Sequence, residues 1–388
     1  DTAGTFDTAA WRALGATGLF ALGLPVALGG RGHALRHVTA AWRGLGAGSL
    51  DLPFCTSAIA QSIGIDILAR FGAATPQARL LPALVRGASI VAISNAEEGA
   101  GTDVRAARSR LELRAGGAGV AHVRKPGATN LPGAAVVLAS AWCHGLHDKP
   151  SLEVIALAGD EVTQIDHRAS LAGFRTGLTG GIHTAAAGCT LDAAPERIVG
   201  GPRAGFRVMK HCFNLERLYI GALVSGVLLG ARQTAMRQLR TRTSMGQPLL
   251  QHQYVQGKLI QMLAAERHLQ GLIDSILRVA DDATGLPAAT HLLALLKIAI
   301  IEAAGPALRA CFDLFGFIGY TDAHFAQKLV RDHMALALLG GTAEQQRLVL
   351  FAELLQHAEK DPPAHEPQAQ PARRPEQRGG LSHSGLPS

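Results

Sequence analysis

The chain has 388 residues, 48% of them hydrophobic and only 17% charged, with 45 glycines; this suits a compact, largely helical soluble protein of two or three domains. A net charge of +7 favours an acidic partner, but no block of Lys and Arg with interleaved aromatics occurs and there are only three Tyr, so nucleic acid is set aside. The opening Asp1-Thr2-Ala3-Gly4-Thr5 shows no signal peptide and no uninterrupted apolar run reaches membrane-spanning length, so a cytoplasmic protein with no membrane contact is expected.

Residues 11–87 read as helices broken by Gly-rich turns, with apolar residues at three- and four-residue spacing from Ala58 to Phe71. From Ser89 to about Arg197 short β-branched runs (Ile90-Val91-Ala92-Ile93, Val136-Val137-Leu138, Leu152-Glu153-Val154-Ile155) alternate with Gly, Asn, Asp and Pro turns, the pattern of a β domain. After Gly200-Gly201-Pro202 the helical period returns over residues 206–241, 254–281, 288–315 and 343–359, whose length and apolar faces suggest an antiparallel bundle. The division is therefore 1–90 helical, 91–200 β, 201–359 helical, and 360–388 a Pro-, Gln-, Arg- and Gly-rich tail read as disordered. Cys55, Cys143, Cys189, Cys212 and Cys311 are scattered and lack CxxC spacing, so they read as buried thiols of a reduced compartment. No histidine pairs with Cys or His at metal-ligand spacing, and no Rossmann, Walker, HExxH or GxSxG pattern is present.

Local motifs run in order along the same three parts. They are Gly18-Leu19…Leu24-Pro25…Gly29-Gly30-Arg31-Gly32; Glu97-Glu98-Gly99-Ala100-Gly101-Thr102-Asp103; Lys125-Pro126-Gly127-Ala128-Thr129-Asn130; Arg242-Thr243-Ser244-Met245-Gly246-Gln247-Pro248…His252-Gln253; Asp313-Leu314-Phe315-Gly316-Phe317-Ile318-Gly319-Tyr320; and Arg331-Asp332…Gly340-Gly341-Thr342-Ala343-Glu344-Gln345-Gln346-Arg347. Together they resemble the acyl-CoA dehydrogenase superfamily. The resemblance implies a mainly α protein with a central β domain: an N-terminal helical domain, a middle β-barrel-like domain and a C-terminal four-helix bundle.

It also implies FAD, approached by Gly101, Thr102, Thr129, Thr342 and Glu344. From a neighbouring subunit it would be met by Arg242, Ser244, His252, Gln253, Asp313 and Gly316, whence a homodimer or homotetramer. A guanidinium such as that of Arg242 can read a diphosphate bidentately. Three substitutions stand in the last motifs: Asp313 replaces a glutamine, Phe317 replaces a glycine, and Gly340 occupies the place of the catalytic glutamate.

Desaturating an acyl thioester needs a carboxylate at the α carbon and hydrogen-bond donors for the thioester carbonyl. By resemblance the Gly340 backbone N–H survives as one donor. The base moves to Glu216 in Asn214-Leu215-Glu216-Arg217-Leu218, as in isovaleryl-, long-chain- and prolyl-carrier-type members, while Thr102, Asn214 and Arg217 contact substrate. The implied partners are an acyl thioester on coenzyme A or on an acyl or peptidyl carrier protein, with an electron-transfer flavoprotein or oxygen as acceptor. Two other readings fit the same residues: a flavin-dependent monooxygenase on this fold, which needs no glutamate, and a non-catalytic relative with weakened flavin binding.

Overall fold

The computed structural model describes residues 4–101, 103–146, 148–282 and 285–360. Four helices come first: α1 (Thr8–Thr17), α2 (Leu35–Ser49), α3 (Leu52–Phe71) and α4 (Ala74–Val85). Asp7 and Asp51 cap α1 and α3, each carboxylate accepting a first-turn N–H, and Pro53 sits in the first turn of α3, where its missing N–H costs nothing.

Nine strands follow: β1 (Val91–Ser94), β2 (Arg110–Leu113), β3 (Gly119–His122), β4 (Arg124–Thr129), β5 (Val136–His144), β6 (Ser151–Ala158), β7 (Thr163–Asp166), β8 (Thr179–His183) and β9 (Cys189–Leu191). They form one mixed sheet in the order β7-β8-β4-β1-β5-β2-β3-β9, with β6 on β5. One edge of β5 is shared, pairing in parallel with β1 over residues 136–139 and with β2 over residues 142–144. The two-residue side-chain period divides the strands between two cores. Val136, Leu138, Val154 and Ala156 face the helices, whereas Val137, Ala139, Ile155 and Leu157 join Leu111, Val123, Ile182 and Leu191 in a core internal to the sheet.

The C-terminal part holds α5 (Gly205–Thr241), a small hairpin of β10 (Thr243–Ser244) and β11 (Gln247–Pro248), α6 (Gln253–Asp282), α7 (Thr290–Glu302), α8 (Ala304–Phe315), α9 (Phe325–Leu336) and α10 (Ala343–Lys360). The single helix expected over residues 288–315 is two, α7 and α8, broken at Ala303. Pro306 has no N–H to offer the carbonyl four residues back, which is where the first helix stops. The tail expected from residue 360 lies, from residue 361 on, outside the described residues.

Helix α5 is fixed by close packing on α2. A Cβ at Gly226 would stand 2.0 Å from the Arg43 carbonyl oxygen, and one at Gly230 2.2 Å from that of Ala47, so only glycine lets the two backbones approach this closely. Buried Glu266 of α6 adds a polar tie, accepting from Arg43 at 2.8 Å and from Arg232 at 2.6 Å. Three helical stretches, Leu52–Phe71, Gly205–Thr241 and Leu286–Tyr320, are long and apolar enough to cross a membrane by length and composition, unlike the expectation from uninterrupted runs. Gly, Ser and occasional charged residues interrupt the runs, yet the apolar residues between them keep the mean hydropathy high, and most of the first two stretches is buried in protein.

Candidate functional site

Glu216 and Arg217 lie in the first half of α5, and the turn Ala337–Thr342 between α9 and α10 comes back against them. Gly340 has φ 67°, a left-handed conformation that a residue without Cβ adopts freely. A Cβ at position 340 would stand 3.5 Å from Glu216 Oε2, 3.6 Å from its Cδ and 3.7 Å from Arg217 Cγ. The Glu216 carboxyl therefore occupies the space next to the place where a side chain at 340 would begin. Arg217 Nε donates to the Gly340 carbonyl at 3.0 Å. Loss of solvation pushes the Glu216 carboxyl above the ordinary glutamate range, against the opposing pull of the Lys297 and Arg217 charges.

Lys297 is the member of this group that sequence reasoning passed over. It sits on α7, is 3% exposed, and its Nζ donates to the carbonyls of Leu336 and, at 2.5 Å, Leu339. Burial lowers its pKa from 10.5 to about 8, although the Glu216 charge acts to raise it. The available signal was a lone lysine inside Leu293-Ala294-Leu295-Leu296-Lys297-Ile298-Ala299-Ile300, since a charge in such a run is buried only with partners.

Arg331 and Asp332, which open the last motif, clamp α9 to the β domain. Arg331 Nη1 donates to the Ala172 carbonyl at 2.9 Å, and Asp332 accepts the Phe174 N–H at 2.7 Å while pairing with Lys328 at 2.5 Å. The clamp anchors one end of the turn that carries Gly340.

Asn214 is not brought together with Glu216. Two residues along a helix is about 200° of rotation, which puts the two on opposite faces of α5. Asn214 instead lines a cavity of about 890 Å³ with Phe20, Leu24, Asp66, Lys210 and His211, and is 1% exposed. Neither its Oδ1 nor its Nδ2 has a partner among the described residues.

Thr129 ends β4, paired with Ile93 on one side and Thr179 on the other. Around it Asn95 Oδ1, Asn130 Oδ1 and Thr179 Oγ1 are buried without hydrogen-bond partners among the described residues. Orphaned atoms of this kind cost roughly 1–3 kcal/mol each unless a ligand meets them, and a heteroaromatic ring carrying both donors and acceptors suits such a shelf. Nearby, Lys125 is fully buried, with Nζ 2.6 Å from Glu97; Glu97 in turn accepts the Arg108 N–H at 2.6 Å, so the pair holds the Glu97–Asp103 loop to the sheet. In that loop Gly101 is exposed, with nothing within 4 Å of a Cβ position, and Thr102 lies outside the described residues.

The residues assigned to the neighbouring subunit gather at the other end of the bundle. Exposed Arg242 donates to the Phe315 carbonyl at 3.0 Å and comes within 3.7 Å of a Cβ position on Gly316, which caps α8 at φ 60°. His252 closes the hairpin, its Nε2 3.1 Å from the Ser244 carbonyl, beside exposed Gln253 at the start of α6. Asp313 is bound by Lys258 at 2.6 Å and Arg309 at 3.1 Å; partial burial acts to raise its carboxyl, but these two cations outweigh it and hold it below the usual range. Met245, Phe317 and Tyr320 expose 94%, 81% and 72% of their surface, so Phe317 points out of the fold and does not fill the space beside Gly316. Thr342 Oγ1 accepts the Gln345 N–H at 3.2 Å at the start of α10, and Glu344 follows in its first turn, 3.7 Å from Arg347.

Among the described residues no group of three His, Cys, Asp or Glu could hold a metal. The arrangement thus offers a shielded carboxylate next to a cation-held glycine turn, a polar shelf on the sheet, and an exposed arginine at a helix end. Chemically it can accept a proton in a low-dielectric enclosure and bind a large anionic cofactor.

Comparison with known proteins reaches both helical parts of the chain through family models and most of its length through individual relatives. The acyl-CoA dehydrogenase N-terminal domain matches residues 1–88 and the acyl-CoA dehydrogenase C-terminal domain residues 203–355. A mitochondrial isovaleryl-CoA dehydrogenase of Oryza sativa subsp. japonica is 25% identical over 357 residues, covering 90% of this chain and 83% of the relative. A cyclohexane-1-carbonyl-CoA dehydrogenase of Geobacter metallireducens is 26% identical over 309 residues, 77% of each chain. Among solved structures, the prolyl acyl carrier protein oxidase AnaB superposes with a TM-score of 0.83 at 22% identity, covering 91% of this chain and 92% of that one. Butyryl-CoA dehydrogenase from Megasphaera elsdenii gives a TM-score of 0.81 at 20% identity, with 92% of each chain covered.

Proposed function

Because the chain belongs to the acyl-CoA dehydrogenase family, a family of FAD-dependent oxidoreductases, we propose that it desaturates an acyl thioester with Glu216 as the α-proton base. The observation that carries this is the 3.5 Å separation between Glu216 Oε2 and the Cβ position of Gly340, where the family's glutamate would otherwise begin.

The orphaned polar atoms around Thr129 and the exposed guanidinium of Arg242 suit the ring and the diphosphate of FAD. Gly101, Thr102, Thr342 and Glu344 would complete one subunit's share; Ser244, His252, Gln253, Asp313 and Gly316 would belong with Arg242 to the neighbour's. When bound, FAD supplies the two-electron acceptor for the β hydrogen. The chain's own residues do the rest. Glu216 takes the α proton on a carboxylate oxygen, the Gly340 N–H receives the charge that builds on the thioester carbonyl, and Arg217 holds that turn through the Gly340 carbonyl. A carboxyl raised by burial suits a base that must give its proton back in each cycle.

The exposed Met245, Phe317 and Tyr320 beside Arg242 support a subunit interface at the cofactor, in a homodimer or homotetramer. The substrate is proposed to arrive on a phosphopantetheine arm, an acidic carrier protein being favoured over coenzyme A by the net charge of +7. Electrons leave to an electron-transfer flavoprotein or to oxygen.

The test is anaerobic bleaching of the bound flavin by a panel of acyl groups presented on coenzyme A and on a carrier protein. Bleaching without oxygen supports desaturation. A yellow protein that no thioester bleaches, but that consumes oxygen with a reductase and an amine, supports the monooxygenase reading and overturns this one. Equal rates on both carriers, insensitive to salt, overturn only the carrier preference.

A further inference from the structure

The turn that carries Gly340 is held by positive charge from two helices. Lys297 of α7 donates to the carbonyls of Leu336 and Leu339, and Arg217 of α5 to the carbonyl of Gly340. The Leu339 carbonyl and the Gly340 N–H belong to the same peptide unit. A cation on the oxygen draws electron density through that unit and strengthens the N–H on its other side as a donor. The same ammonium acts electrostatically on Glu216 across the bundle.

Resting on the assignment of Glu216 as base, we propose that Lys297 is a positioning residue that aims and polarises the Leu339–Gly340 peptide and adds its positive charge to the surroundings of Glu216. It touches neither substrate nor cofactor; it acts through the turn and through the charge of its partner. Burying a lysine so fully is costly, and the two carbonyls and the carboxylate are what offset the cost. The groups that bear on this titration can be named. Cys212 and Arg217 face Glu216 from α5 and Lys297 faces it from α7, while Glu344 of α10 and His333 of α9 act on or respond to Lys297. Removing the ammonium leaves Arg217 as the remaining cation beside Glu216, so the carboxyl should rise further, because an opposite charge favours the ionised form.

The experiment titrates Glu216 in the purified protein by infrared spectroscopy, taking as its signal the protonated-carboxyl band that disappears in Glu216→Gln. In Lys297→Gln, which keeps a donor for the turn but loses the charge, the midpoint should move up by about one pH unit or more. In Lys297→Arg it should stay near the parent value. A role confined to packing predicts no movement in Lys297→Gln, or equal movement in both variants, and either result overturns the proposal. If Lys297→Gln does not fold, the reciprocal measurement stands in its place. Interaction between two groups is mutual, so the Lys297 ammonium, followed by NMR of labelled lysine, must titrate lower in Glu216→Gln than in the parent; an unchanged midpoint overturns the proposal. The base assignment fails separately, if Glu216→Gln reduces flavin at the parent rate while these midpoints still shift.

Discussion

A second carboxylate at position 340 should repel Glu216, and the size of the effect can be worked from the backbone. Gly340 has φ 67°, so any L side chain there starts with about 1–2 kcal/mol of strain. Space is not the obstacle, because the Cβ would meet Glu216 Oε2 at 3.5 Å, an ordinary contact. Two like charges about 4 Å apart at an effective dielectric near 20 repel by about 4 kcal/mol, and protonation of one of them caps that cost. The pair in Gly340→Glu should therefore titrate in two steps, the upper one above the usual carboxylate range. Between the two pKa values the folded state holds a proton that the unfolded chain has released, so stability falls as pH rises through the upper step. In urea unfolding, Gly340→Glu should lose about 3 kcal/mol at pH 8 and recover at least about 1 kcal/mol of it near pH 5. Gly340→Ala should show the strain alone, with no pH dependence beyond the parent's. Adding Glu216→Gln to Gly340→Glu should abolish the extra pH dependence. An identical deficit at both pH values, or one that survives in the double variant, would refute the placement of Glu216 beside Gly340.

Two further perturbations separate cofactor binding from folding. Arg242→Ala should release flavin on gel filtration while urea stability changes by less than about 1 kcal/mol, because the residue is exposed and bonds a helix-end carbonyl. Lys125→Met should cost about 3–5 kcal/mol in urea unfolding, since it strands the buried Glu97 carboxylate, and replacing Glu97 by Gln as well should recover part of the loss.

The three-part order was legible because each part has its own hydrophobic period. The 3.6-residue pattern over residues 206–241 became α5 within a residue, and the β-branched run Val136-Val137-Leu138 became the central strand β5. Its partners could not be read the same way: β5 pairs with β1, β2 and β6, and alternation along a strand fixes a face but not a neighbour. The placement of Asn214 away from Glu216 was available from spacing alone, since two residues along a helix point to opposite sides; motif matching assigned both to the substrate because it compares positions, not faces. Lys297 was hidden for a different reason. Its partners are backbone carbonyls 39 and 42 residues downstream, which no side-chain pattern announces.

The central claim is that Glu216 takes the α proton, and rapid-mixing anaerobic reduction of bound flavin by an acyl thioester, compared between parent and Glu216→Gln, tests it most directly. The variant should be folded and yellow but reduced at least about 100-fold more slowly, as expected for loss of a positioned base. Reduction at the parent rate would place the base elsewhere and rule out Glu216.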